Sequence, residues 1–94
     1  MIKVLLKENV IQISGHAKFD DYGKDIVCAS VSSIVYTSIN AILNFNEKAI
    51  EVIDESNLII KIIHNDDITD KLIHNMIELL KDLEKQYPKN LNIQ

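Results

Sequence analysis

The sequence has 94 residues, of which 47% are hydrophobic, a formal net charge of −4, and only two glycines and one proline. This length and composition are typical of one small globular domain over residues 1–94. All ten cationic residues are lysines spaced singly along the chain, so it offers neither a basic patch nor an arginine fork for phosphate or base recognition. Direct nucleic-acid binding is therefore not expected.

The cysteine content and the N-terminal segment indicate the cellular compartment in which the protein is expected to act. One cysteine cannot form an internal disulfide, which favours a reducing environment. Residues 1–10 carry two lysines and a glutamate within their apolar run, unlike a signal peptide, and no run reaches the ~18 consecutive apolar residues of a membrane span. We expect a cytoplasmic protein that does not enter a membrane.

Two segments at the start of the chain show the period-two alternation of hydrophobic residues that is typical of β-strands. They span residues 2–7 and 10–14, with a turn at residues 8–9 between them. Gly15 ends the second strand. Residues 16–24 follow neither the strand nor the helix period and contain the second glycine, so they are predicted to form a loop.

The next segment, residues 25–45, has a helical period and contains neither glycine nor proline. Asp25 is a favourable N-cap residue, which predicts that the helix begins there. No charged residue lies between Ile26 and Asn46. A helix this apolar is predicted to be covered on more than one side, by the sheet and by a further surface.

Two more strands are predicted near residues 48–54 and 57–63, joined by a turn at residues 55–56. The second of these strands is rich in isoleucine, which is β-branched and favours extended backbone. Four strands in two sequential pairs predict a largely antiparallel sheet.

A final helix is predicted from a cap at Asp66 or Asp67 to about Tyr87, where Pro88 stops it. Its predicted buried face consists of Ile68, Leu72, Met76, Leu79, Leu80 and Leu83. The order ββαββα predicts a single α+β domain in which two helices pack on a four-stranded, mostly antiparallel sheet.

The single cysteine is the first candidate for chemistry. Cys28 lies about three residues into the predicted helix, where unpaired backbone N–H groups and the helix dipole favour a thiolate and could hold an oxyanion. His16 directly follows Gly15, so a loop that folds back would bring its imidazole to the helix start as a general base. An inert buried thiol and a structural histidine are the alternative interpretation.

Two neighbours of this pair have open roles. Asp25 would either cap the helix or orient His16 as the third member of a catalytic triad, and the two roles compete. Ser32 lies one turn beyond Cys28 on the same face, where it would support the site by hydrogen bonding or simply pack.

Other groups of residues that could form a metal, phosphate or redox site give weaker signals. His64 and His74 are ten residues apart, and His74 has Asp70 at helical i,i+4 spacing, but no zinc-ligand spacing is present. A phosphate-binding glycine loop and a CxxC pair are also missing from the sequence. We therefore expect neither a metal nor a cofactor.

One part of the sequence resembles a known protein family. The residues Gly15-His16-Ala17, then Gly23, then Asp25-Ile26-Val27-Cys28-Ala29 and Val31-Ser32 are similar to the motif of the ribosomal-processing cysteine protease family, Prp. The predicted ββαββα order extends this likeness over nearly the whole chain.

The resemblance implies a homodimeric endopeptidase with His16 and Cys28 as the catalytic pair. It also implies that Gly15, Asp25 and Ser32 support the site and that residues 17–24 form a mobile loop over it. Within that loop Phe19, Tyr22 and Gly23 would shape the substrate pockets. Residues 18–21 depart from the smaller residues expected in the family, so the cleaved sequence is expected to differ.

The family's substrate is the N-terminal extension of the large-subunit ribosomal protein numbered twenty-seven, cut after a short apolar segment containing Phe. A basic ribosomal protein would suit the acidic balance of this chain. The alternative function is a non-catalytic, ribosome-associated or partner-binding module of the same fold.

Overall fold

A computed structural model describes the backbone of residues 1–15 and 22–94 and the side chains of residues 1–15 and 26–94. Within this part of the chain, the strands and helices follow the order ββαββαβ. Their bounds are β1 (Ile2–Lys7), β2 (Val10–Ser14), α1 (Tyr22–Phe45), β3 (Ile50–Asp54), β4 (Leu58–Ile62), α2 (Asp67–Gln86) and β5 (Leu91–Ile93). The α+β class is confirmed, and β1 and β2 match their predicted bounds.

The described strands form one sheet in the order β3-β4-β2-β1-β5, with antiparallel pairing everywhere except between β1 and β5. The register places Val4 opposite Ile13, and Ile13 opposite Leu58. Alternate residues of every strand therefore point to one common face. That face is buried and forms one hydrophobic core with the helices.

The fifth strand and the parallel pair correct the predicted four-stranded sheet. After Pro88 the chain turns back, and the Ile2 N–H donates to the Asn90 carbonyl oxygen at 2.9 Å. Further along the same edge, the Leu6 N–H donates to the Gln94 carbonyl oxygen at 3.0 Å. A three-residue strand is too short to show a period, which is why the sequence pattern did not indicate it.

Helix α1 supplies the centre of the core. Its buried residues recur at steps of three and four, which places them on one stripe: Val27, Val31, Val35, Ile39 and Ile42. By length and composition alone, the segment Ile26–Phe45 is apolar enough to cross a membrane, with a mean hydropathy of 1.8. Serine, threonine and asparagine interrupt its apolar residues, so it contains no run of ~18 consecutive apolar residues. A core helix of a globular domain meets the same criterion, and α1 packs against α2.

Helix α2 begins at the predicted cap but buries a stripe shifted from the predicted one. Asp66 is the N-cap, and its Oδ1 accepts the Thr69 N–H at 2.8 Å. The exposed fractions of Ile68 and Leu79 are 45% and 43%, so their assignment to the buried face was wrong. The buried residues are Thr69, Ile73, Met76, Leu80 and Leu83. Several apolar residues of α2 are adjacent in sequence, so the sequence pattern is compatible with two buried stripes that differ by a rotation of about one residue. Packing against α1 selects between them.

Candidate active site

The turn after β2 is built around Gly15. Its φ of 80° lies in the left-handed region, which non-glycine residues rarely adopt. A Cβ at this position would also overlap the carbonyl oxygen of Met1, at the start of the neighbouring strand β1. Gly15 thus lets the chain turn sharply against the N-terminal strand, and His16 is the next residue. His16 itself lies outside the described residues.

Cys28 occupies the second turn of α1. It lies between buried Val27 and exposed Ala29, and its half-buried side chain packs against the hydrophobic core. A half-buried thiol has one side in the core and one side open to solvent. The side-chain bonds of a helix tilt toward its N-terminus, so the thiol is directed back along α1 toward the N-terminal end of the helix.

The start of α1 corrects two predictions about the site. The helix begins at Tyr22, three residues earlier than predicted, so Asp25 lies in its first turn and is not the N-cap. The unpaired N–H groups of the helix therefore precede Cys28 by about one turn and include those of residues 22–24. The expectation that Cys28 itself lies among unpaired donors was wrong. A cap is set by local geometry in the preceding residues, which the sequence pattern did not resolve.

Part of the predicted loop over residues 16–24 belongs to α1. Tyr22 and Gly23 belong to the backbone of α1 and not to the loop, whereas Phe19 lies outside the described residues. Ser32 is exposed one turn beyond Cys28, as the helical spacing predicted. The described elements thus bring Gly15, Asp25, Cys28 and Ser32 to the region between the end of β2 and the first half of α1.

A small recess lies next to Ser32, between α1 and the sheet. Its volume is about 50 Å³. Its lining residues are Ile13, Val31, Ser32, Val35, Tyr36 and Leu58. Four of these are buried aliphatic side chains, and only Ser32 and Tyr36 are exposed. Sequence reasoning did not single out this recess, because residues from three separate elements form it.

The ring of Tyr36 is tied to the far end of β3. Its hydroxyl donates to Asp54 Oδ2 at 2.6 Å, across eighteen residues of sequence. This hydrogen bond to a carboxylate raises the pKa of Tyr36 above its ordinary value, and partial burial acts in the same direction. Neither residue carried a recognisable sequence signal, since the contact is entirely tertiary.

The histidines outside the motif do not gather a metal-ligand set within the described residues, where no group of three or more His, Cys, Asp or Glu side chains is close enough to hold an ion. His74 Nε2 lies 3.7 Å from Glu78 Oε1, one turn onward, and not beside Asp70 as the spacing suggested. Asp70 and Glu78 each lie four residues from His74, one turn before it and one turn after it, and the side-chain rotamers bring Glu78 next to the imidazole.

Comparison with known proteins adds an independent line of support. The family model described as cysteine protease Prp matches residues 1–92. A ribosomal processing cysteine protease Prp of Mycoplasma pneumoniae is 32% identical, covering 100% of this chain and 94% of its own. The Staphylococcus aureus protein of the same name is 28% identical over 86% of this chain and 80% of its own length.

Solved structures agree with the fold. The S. aureus Prp structure in complex with a substrate peptide superposes with a TM-score of 0.86 at 22% identity, covering 99% of this chain and 95% of that one. A second S. aureus Prp structure, with a covalently linked product peptide, gives a TM-score of 0.80 at 24% identity, with 99% and 97% covered. The resemblance read from the short motif around Cys28 therefore holds over the whole fold, and the chain belongs to the cysteine protease Prp family.

Proposed function

We propose that this chain is a cysteine endopeptidase that removes the N-terminal extension of the large-subunit ribosomal protein numbered twenty-seven. The observation that carries the proposal is the position of Cys28. Its half-buried thiol is directed toward the end of α1 that follows the β2 turn and the His16 position. The fold is that of a family in which one solved member holds a covalently linked product peptide.

The proposed reaction is acyl transfer in two steps. His16 accepts the proton of Cys28, and the thiolate attacks the carbonyl carbon of the scissile peptide bond. The tetrahedral intermediate collapses as the C–N bond breaks, and the imidazolium donates its proton to the leaving amine. Water, deprotonated by His16, then attacks the thioester, releases the new carboxyl terminus and restores the thiol.

The oxyanion donors in this proposal are the unpaired N–H groups of residues 22–24. They lie one turn before Cys28, on the side to which its side chain is directed. An oxyanion formed on a carbonyl bonded to Cys28 Sγ would therefore approach the positive end of the α1 dipole. Asp25 lies in the same turn, where its carboxylate would orient His16 or stabilise the imidazolium.

The direct test is incubation with the host's own precursor of this ribosomal protein, followed by intact-mass analysis. Wild type should shorten the precursor at one bond. Cys28→Ala should abolish cleavage and keep binding, measured by fluorescence anisotropy of a labelled extension peptide, because it removes one sulfur atom and no charge-pairing contact with a distant part of the substrate. Cys28→Ser and His16→Ala should both lower kcat by at least about 10³-fold.

Two outcomes would contradict the proposal. Cleavage by Cys28→Ala would remove Cys28 from its assigned role. Tight binding by wild type without cleavage, together with a thiol that resists iodoacetamide near neutral pH, would favour the partner-binding module instead.

We further propose that the protein acts as a cytoplasmic homodimer. The family resemblance supports the dimer, and the single cysteine suits a reducing compartment. By the family resemblance, residues 17–24 would cover the bound peptide, with Phe19 and Tyr22 beside the cleaved bond. Hydrogen exchange of this segment with and without the extension peptide of the Cys28→Ala variant tests the closure, since binding should slow exchange there.

A further inference from the structure

We propose that the recess beside Ser32 is a substrate subsite that accepts one small aliphatic side chain and that Tyr36 limits its size. This inference rests on the proposed function and adds to it the residues that would determine specificity. The recess is formed by the end of β2, the start of β4 and the first and second turns of α1 after Cys28. It therefore lies on the same helix as the candidate nucleophile, one to two turns further on.

The distance from Cys28 suits a bound peptide. Val35 lies seven residues after Cys28, so the recess is about 10 Å further along the helix axis, at 1.5 Å per residue. An extended peptide advances about 3.3 Å per residue. A substrate laid along α1 would thus place the side chain two to four residues from the scissile bond over the recess.

The lining determines the chemistry of the occupant. The floor consists of Ile13, Val31, Val35 and Leu58, with exposed fractions of 4% or less, and no charged side chain lines the recess. Its volume of about 50 Å³ exceeds the ~30 Å³ share of one water molecule but is well below the ~150 Å³ of a cavity that holds benzene. Alanine or valine fits such a space, whereas a phenylalanine ring does not.

Tyr36 forms the outer wall. Its side chain is 39% exposed, so the ring stands at the mouth of the recess and not in the core. The hydrogen bond from its hydroxyl to Asp54 Oδ2 holds the ring across the gap between α1 and the end of β3. Removal of the ring would widen the mouth without removing a core side chain, which makes Tyr36 the residue to test.

The experiment uses variants of the host ribosomal precursor. Each variant carries Ala, Val or Phe at one position, and the positions tested are the second to fourth on either side of the cleaved bond. Relative kcat/KM is measured in competition by mass spectrometry for wild type, Tyr36→Ala and Tyr36→Phe. At one position wild type should prefer Val to Phe by at least about tenfold. Tyr36→Ala should reduce that preference to less than about threefold, and Tyr36→Phe, which keeps the ring, should retain most of it.

A second variant tests the floor. Val35→Ile adds one methylene group to the recess, so at the same position it should shift the preference from Val toward Ala. Thermal unfolding of each variant establishes that it is folded before its preference is compared.

The outcomes separate the two proposals. If wild type cleaves the native precursor but shows no position with this preference, or if Tyr36→Ala leaves the preference unchanged, the recess is a packing gap of the core only and the subsite is wrong. If wild type cleaves no precursor, the proposed function fails and the subsite with it.

Discussion

Gly15 contributes to the candidate site through its backbone conformation, because glycine has no side chain that could react. The motif resemblance marked it as a supporting residue, and the structure supplies a physical reason in its positive φ and its close approach to the Met1 carbonyl. We predict that Gly15→Ala lowers the free energy of unfolding by about 1–3 kcal/mol, the usual cost of a strained backbone conformation. Urea unfolding measures this loss.

Ser14→Ala, a change at the preceding residue, provides the matched control and should cost less than about 1 kcal/mol. Cleavage should also fall in Gly15→Ala, because the turn that leads into His16 shifts. A Gly15→Ala protein with wild-type stability would contradict the assigned role.

Asp25 offers a second test at this scale. Because it lies in the first turn of α1 and is not the N-cap, we expect its contribution to catalysis to exceed its contribution to stability. Asp25→Asn should lower kcat by at least about tenfold, as expected when a carboxylate no longer orients or stabilises an imidazolium. The melting temperature should change by less than about 3 °C, a shift that corresponds to well under 1 kcal/mol in a domain of this size.

Ser33→Ala, an exposed change on the same helix, is the control. Parallel losses of rate and stability in Asp25→Asn would assign this residue to helix stability instead.

Among the strands and helices, β5 forms one edge of the sheet and closes the core there. Leu91 is fully buried between β1 and α2, and the Ile93 N–H donates to Glu84 Oε2 at 2.8 Å. Leu91→Ala should lower the free energy of unfolding by about 2–5 kcal/mol, since it opens a cavity in the core. Asn92→Ala, on the opposite face of the same strand, should cost less than about 1 kcal/mol. Equal effects in the two variants would mean that β5 does not pack as described.

The cap of α2 predicts a pH dependence. Asp66 accepts hydrogen bonds from the Thr69 N–H and from Asn46 Nδ2, and these bonds lower the pKa of its carboxyl below the ordinary value of 3.8. Its stabilisation is therefore complete above pH 3.8 and is lost as the pH falls through the lowered pKa. Asp66→Asn caps the helix without ionising, so it supplies the pH-independent reference.

As the pH is lowered from 5 to 2, the melting temperature of wild type should fall relative to that of Asp66→Asn. A difference that stays constant over this range would show that the carboxylate charge does not contribute to the cap.

For the whole molecule, the expected oligomer is a dimer. Helix α1 offers a dimer contact less apolar surface than its uncharged sequence indicates, because α2 and the sheet cover its apolar stripe. Val35 and Ile39 are core residues, so charging either one would unfold the protein and would not test an interface. The exposed hydrophobic side chains of α1 that do allow a test include Ile26 and Phe45, with exposed fractions of 56% and 68%.

Sedimentation of wild type at micromolar concentration should give about twice the chain mass of 10.7 kDa. If α1 contributes to the contact, Ile26→Glu or Phe45→Glu should shift the protein toward monomer, whereas Ile68→Glu on α2 should not. A wild-type monomer under these conditions would contradict the homodimer.

Features that depend on local pattern could be predicted from the amino-acid sequence alone. Period-two alternation placed β1 and β2, the Asp66 cap and Pro88 bounded α2, and the motif around Gly15 and Cys28 indicated the family. Each of these signals acts over a few residues, where spacing and capping chemistry dominate. Tertiary structure decided the rest. Three features depend on contacts between segments that are distant in sequence: the parallel pairing of β5, the rotation of α2 that exposes Leu79, and the Tyr36–Asp54 hydrogen bond. The local pattern allows several such arrangements, and the packing energy of the whole domain selects among them.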